Sequence, residues 1–153
     1  MVLRFGSVLW DTHRSIEDSE SFLRLATEGY ARGDFGGWGI VLKEDGAFVG
    51  TRGVDVGYAP EHARAEPGYV LSREHWGRGI MPEAVRAIIR FGFDRTGLNR
   101  MEARCIAENT ASARVMEKAG MTYEDTLRER EFIKGVYRDM ELYSILRLEY
   151  HGA

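Results

Sequence analysis

The chain predicts an α+β domain, in which strands and helices surround one mixed sheet with a partly parallel centre. Three observations carry this expectation. The apolar run Tyr69-Val70-Leu71 leads through a glycine-bearing turn, Arg73 to Pro82, into an amphipathic stretch, Glu83 to Thr96. Arg100 to Ala107 then alternates, with Met101, Ala103 and Cys105 on one face and Glu102, Arg104 and Ile106 on the other. Finally, Asp45-Gly46 and Gly135 mark tight chain reversals between apolar segments.

Taken in order, Val2 to Trp10 is apolar and irregular. Ser15 reads as an N-cap, with Asp18 completing an acidic capping box. The helix it opens runs to about Tyr30, with Phe22, Leu25 and Ala26 on one side. Gly33 to Gly37 is a loop. Trp38, Ile40 and Leu42 alternate as a strand, and Ala47 to Val54 returns antiparallel to it. A loop from Tyr58 to Ala65 precedes a strand over Glu66 to Ser72. The helix from Pro82 turns Ala84, Val85, Ile88 and Ile89 inward and stops at Gly97. Asn109 caps a helix over Thr110 to Ala119, and Gly120 stands at its C′ position. Met121 to Asp125 is a short strand. Arg130 to Lys134 and Val136 to Leu146 form a hairpin around Gly135.

The segment Arg-Glu-His-Trp-Gly-Arg-Gly-Ile-Met-Pro, residues 73–82, carries the chemistry. Gly77 and Gly79 let backbone approach a ligand with no Cβ in the way. Free amides then point outward at a helix start, where the macrodipole is positive, and such a terminus suits phosphate. A dinucleotide fingerprint needs a third glycine where Pro82 stands, and the Lys-Ser/Thr of a P-loop is absent. By itself the turn fits a plain nucleotide-phosphate binder, or only a loop capping a helix.

Composition narrows the field. A chain of 153 residues with a 44% hydrophobic fraction is one ordinary domain, residues 1–153. A net charge of −3 offers no grip on nucleic acid. No apolar run reaches membrane-spanning length, and no signal peptide is evident. The single cysteine, Cys105, excludes an intrachain disulfide and fits a reducing cytoplasm, where it reads as a small buried hydrophobe.

Together these segments resemble the GNAT superfamily of acetyl-CoA-dependent N-acetyltransferases. Trp76 to Met81 is similar to its Q/R-x-x-G-x-G/A pyrophosphate loop, with Trp76 and Met81 departing from the pattern. Asn109-x-x-Ser112 followed by Glu117-Lys118-x-Gly120 is similar to its second CoA segment. The tail, Glu131-Phe132 through Tyr137-Arg138-Asp139 to Leu142-Tyr143, resembles the branch that acetylates ribosomal-protein N-termini. Members of the superfamily usually open with a strand and a helix ahead of the Ser15-type helix. Here about fourteen residues precede Ser15, so the opening strand is expected to be short, missing or supplied by a partner in a homodimer.

The resemblance implies acetyl-CoA as co-substrate, no metal, and direct attack by a primary amine. It places the pyrophosphate on the amides of Gly77, Arg78, Gly79, Ile80 and Met81, beside Trp76, with the Arg78 side chain near the phosphates. The pantetheine arm pairs with the strand edge at Tyr69, Val70 and Leu71, Asn109 bonds it from the far side, and Lys118 approaches the adenosine phosphate. An amide near Val70 or Leu71 is the expected oxyanion donor. Ser112 matches the branch's proton donor to the departing thiolate. Glu131 is the first candidate for the base, Glu66 its rival, and His75 a third option whose place in the phosphate turn favours packing. An α-amine, with a pKa near 8, is roughly a tenth neutral at pH 7 and needs modest help, whereas a lysine near 10.4 needs far more. The resemblance implies a protein N-terminus as acceptor, with a small amine (polyamine, antibiotic or amino acid) as the alternative. A non-catalytic CoA-ester-binding module is the reading from another class.

Overall fold

The computed structural model describes residues 37–55 and 62–152, with scattered positions between Ser15 and Glu28. Of these, Ile16, Glu17, Glu20, Ser21, Arg24, Thr27 and Glu28 are helical, in the stretch expected to follow Ser15. Asp18 and the expected inward-facing Phe22, Leu25 and Ala26 lie outside the described residues. So do the opening strand and the 58–61 part of the expected loop.

Six strands form one mixed sheet among the described residues. They are β1 (Trp38–Val41), β2 (Phe48–Asp55), β3 (Arg64–Leu71), β4 (Arg100–Ile106), β5 (Thr122–Ile133) and β6 (Val136–Leu146). Their spatial order is β1-β2-β3-β4-β6-β5. Every neighbouring pair is antiparallel except β3 with β4. That pair is joined by helix α1 (Ile80–Arg95), and a parallel neighbour needs such a crossover. A second helix, α2 (Thr110–Lys118), links β4 to β5. The partly parallel centre is thus present.

The alternation along β4 is realised as strict burial of Met101, Ala103 and Cys105. These meet Val85, Ile88, Ile89 and Phe93 of α1, Ala113 and Met116 of α2, and Tyr143 and Ile145 of β6 in one core. Both helices are therefore packed on one face of the sheet, with their N-termini at the same end. Arg147 closes the other end of α1: its guanidinium donates to the carbonyls of Phe93, Thr96 and Leu98 at 2.9, 2.8 and 2.7 Å. A cation there complements the negative end of the dipole.

Two expectations change in the tail. In place of a short strand at Met121 to Asp125 and a separate one from Arg130, β5 is a single strand of twelve residues. Its register against β6 slips between Tyr123 and Asp125 and again between Leu127 and Glu131. The second slip leaves Arg128, Glu129 and Arg130 facing Asp139 alone, and Asp139 accepts the Glu129 amide at 2.7 Å. A bulge of this kind breaks the sequence alternation that marks a strand, which is why the segment reads as two pieces. The hairpin itself turns at Lys134-Gly135, both with positive φ (51° and 84°), as a type I′ turn demands.

On the outer face, Arg100 forks onto Glu124 at 2.7 and 2.6 Å and also donates to Glu102 at 2.7 Å. Arg100, then the Ser144 hydroxyl, hold the Glu124 carboxyl down at about 2, from an ordinary 4.5. A carboxyl lowered by folding contributes stability above its unfolded pKa, and that contribution is lost as pH falls through the folded value. Glu124→Gln is thus expected to lower the melting temperature at pH 7, and the gap from wild type should close between about pH 4.5 and 2. The pair is partly solvated, so the difference should be on the order of 1 kcal/mol. Thermal melts at graded pH would show it; a gap that stays constant to pH 2 would refute the assignment. Among the described residues, no helix is long and apolar enough to cross a membrane.

Candidate functional site

The parallel pairing of β3 with β4 lasts for two residue pairs, Arg64 with Arg100 and Ala65 with Met101. Beyond them the strands part. The cause is legible in the backbone. The Ser72 amide donates to Val49 of β2, and the Ala63 carbonyl accepts from Asn99 and Arg100 at the start of β4. Because direction alternates along a strand, even-numbered residues of β3 face β2 and odd-numbered ones face β4. Pro67 is odd-numbered and has no N–H, so the ladder towards β4 lacks a donor where pairing stops.

The parted strands leave a cleft of about 540 Å³, walled by the second halves of β3 and β4 and closed by the starts of α1 and α2. Every position expected to hold the cofactor lines it except Arg78: Tyr69, Val70, Leu71, Trp76, Gly77, Gly79, Ile80, Met81, Asn109, Ser112 and Lys118 are all on its wall. Arg78 donates instead to Glu44 at 3.0 Å, on the turn between β1 and β2. The alternation also sorts the edge. The Val70 backbone is directed to β2, so the amides of Tyr69 and Leu71 are those that open onto the cleft. Of the two oxyanion candidates this leaves Leu71. Its carbonyl is already engaged, accepting the Trp76 indole N–H at 3.0 Å.

The glycine turn has the form an anion needs. Gly77 and Gly79 adopt φ of 76° and 80°, a region that L side chains enter only with strain. Gly79 is the N-cap of α1, and Pro82 sits within the first turn, where a missing N–H costs nothing. Among the described residues, the amides of Gly77, Gly79, Ile80 and Met81 meet no backbone acceptor outside the helix ladder. A pyrophosphate would satisfy them. His75 also lines the cleft and contacts Ser72 Oγ at 3.3 Å through Nδ1.

At the second helix start, Asn109 Oδ1 accepts the Ser112 amide at 3.2 Å. The Ser112 hydroxyl lies 2.8 Å from the Tyr69 hydroxyl, across the cleft from β3. Burial pushes the Tyr69 phenol up to about 12. Cys105 also lines the cleft at 5% exposure; burial first, and then Glu141, push its thiol up to about 11, so at neutral pH it is an inert thiol.

The two carboxylates expected as rival bases meet at a residue the sequence reading did not single out. Arg104 forks onto Glu66 at 2.9 and 3.0 Å, and its remaining nitrogen reaches Glu131 at 3.4 Å. Glu66, then the Glu131 charge, raise the guanidinium above its usual range. Arg104 lines the cleft, whereas Glu66 and Glu131 are not on its wall. Glu66 is occupied by two short bonds; Glu131 gives one long contact and keeps an oxygen free of Arg104. The only sequence signal for Arg104 was its place on the outward face of β4, next to the strand that parts from it.

Comparison with known proteins agrees with this geometry. The acetyltransferase (GNAT) domain family matches residues 1–122. The uncharacterized N-acetyltransferase p20 of Bacillus licheniformis is 34% identical over 137 residues, covering 90% of this chain and 76% of that protein. The ribosomal-protein-serine acetyltransferase of Escherichia coli is 28% identical over 134 residues, covering 88% and 69%. The crystal structure of ribosomal-protein-S5-alanine acetyltransferase from Vibrio fischeri superposes with a TM-score of 0.78 at 26% identity, over 92% of this chain and 79% of that one.

Proposed function

This chain belongs to the GNAT acetyltransferase family, and from that premise we propose that it acetylates the α-amine of a protein chain, using acetyl-CoA held in the cleft between β3 and β4. The observation that carries the reading is the cleft itself: parted strands opening between two helix N-termini, with unpaired amides at the glycine turn and a carboxylate pair joined through Arg104 at its side. The turn from Gly77 to Met81 would bind the pyrophosphate and the cleft-facing edge of β3 the pantetheine arm. Asn109 and Lys118 would complete the cradle, and Arg78 would have to leave Glu44 to assist.

The amine lone pair forms a bond to the thioester carbon, and the Leu71 amide receives the oxyanion. As the C–S bond breaks, Ser112 passes a proton to the sulfur and takes one back from solvent, while the proton lost by the amine passes to Glu131 and from there to water. Preorganised donors of this kind are worth on the order of a hundred- to a thousand-fold in rate. Both carboxylates are shared with Arg104, which is modest machinery for removing a proton. It suits an α-amine better than a lysine. The likeness to a ribosomal-protein-serine acetyltransferase and a ribosomal-protein-S5-alanine acetyltransferase supports a protein as the acceptor. The single buried Cys105 supports a cytoplasmic location.

The test is release of free thiol from acetyl-CoA in the presence of three probes: a basic peptide with a free N-terminal serine, the same peptide blocked at its N-terminus but carrying lysines, and spermidine. Turnover on the first and not the others is expected. Turnover confined to spermidine would replace the reading with small-amine acetylation. Binding of acetyl-CoA by calorimetry with no thiol released from any probe would leave a CoA-ester-binding module.

A further inference from the structure

We propose that Tyr69 is a positioning residue for Ser112, deciding which way the serine proton points. The inference rests on the transfer reading above, in which Ser112 protonates the departing sulfur. The two side chains come from opposite walls of the cleft, 43 positions apart in the chain. The Tyr69 hydroxyl lies 2.8 Å from Ser112 Oγ and 3.2 Å from the Ser112 carbonyl. Each hydroxyl carries one proton, so the pair has two arrangements. In one, Tyr69 donates to the carbonyl and the serine donates to Tyr69; the serine proton is then spent within the wall. In the other, Tyr69 donates to Oγ, and the serine proton is left free to face the cleft.

Negative charge developing on sulfur favours the second arrangement. The tyrosine can always supply it, because its buried phenol, pushed up to about 12, holds its proton throughout the working range. A serine alone in a first helical turn would instead rotate towards nearby backbone acceptors. Here its backbone is anchored by Asn109, whose side chain and carbonyl both accept the Ser112 amide, and its hydroxyl is anchored by Tyr69. Two independent ties thus aim one short side chain.

The experiment is a double-mutant cycle on the free-N-terminal peptide, with acetyl-CoA affinity and melting temperature measured for each variant. Tyr69→Phe keeps the ring and removes only the hydroxyl. It is expected to lower kcat about tenfold, with affinity unchanged within twofold and the melting temperature held. In a Ser112→Ala background the same change should add no further loss, a non-additivity that a purely structural role does not produce. An equal loss in both backgrounds, a wild-type rate for Tyr69→Phe, or a wild-type rate for Ser112→Ala would overturn the assignment. No wild-type turnover on any of the three probes would overturn the transfer reading itself, and the pair's role with it.

Discussion

Glu131→Gln is expected to lower kcat about a hundredfold while leaving acetyl-CoA affinity unchanged. General-base catalysis contributes typically two to four orders of magnitude. The substitution isolates that contribution, because glutamine keeps the shape of glutamate and can still accept from Arg104, whose Nη1 lies 3.4 Å from the carboxylate. Glu131 is not on the cleft wall, so the cofactor contacts should survive. The informative comparison is with Glu66→Gln. Glu66 fills both its oxygens with Arg104, and its removal takes away a bidentate clamp. That variant should lose less rate and more stability, since glutamine keeps one acceptor for Arg104 but loses the second, and with it the charge that offsets the partly buried guanidinium. Steady-state rates across pH 6 to 9 decide the matter. If Glu66→Gln is the slower enzyme, the base has been misassigned; if both keep wild-type kcat, neither carboxylate takes the proton.

Gly50→Ala should destabilise the fold by about 3 kcal/mol, through a backbone clash that no side chain can relieve. A Cβ built on Gly50 falls 2.5 Å from the Val70 carbonyl oxygen and 3.3 Å from the Leu71 Cα. Both are main chain, held by the β2–β3 ladder in which Gly50 faces Leu71. The strands must separate or slip. For a chain of this size the melting temperature should fall by roughly 6–12 °C. The functional consequence is specific. β3 has two edges, one paired with β2 and the other open to the cleft, so a displaced β3 carries the Tyr69 and Leu71 amides with it. Acetyl-CoA affinity should therefore weaken even at temperatures where the variant remains folded. A melt and an affinity both matching wild type would show that this part of β3 yields more easily than its pairing implies.

Much of the fold was legible because its causes are local. The glycines of the phosphate turn, the Asn109 cap, the Gly120 terminus and the alternation of β4 each act within a few residues. They stand where the pattern placed them. The β5 strand was legible only in pieces, because its bulges interrupt the period on which such reading depends. Site residues divide along the same line. The wall of the cleft could be named in advance because two strand–turn–helix units resemble the family's cofactor segments. Arg104 could not, for its meaning comes from Glu66 and Glu131, 38 and 27 positions away. The same holds for Arg78, drawn to Glu44 across 34 positions, and for the Tyr69–Ser112 contact.

By itself, then, the order of residues determined the kinds of element, their caps and turns, and an anion-binding helix start, since backbone preference and hydrophobic period are written within single turns of chain. Tertiary structure alone decided which amides face the cleft and which carboxylate is left with an oxygen free of Arg104. It also decided which hydroxyl meets the serine. Those outcomes depend on strand register and on charges brought together across the sheet, and no local pattern specifies a distance between residues forty positions apart.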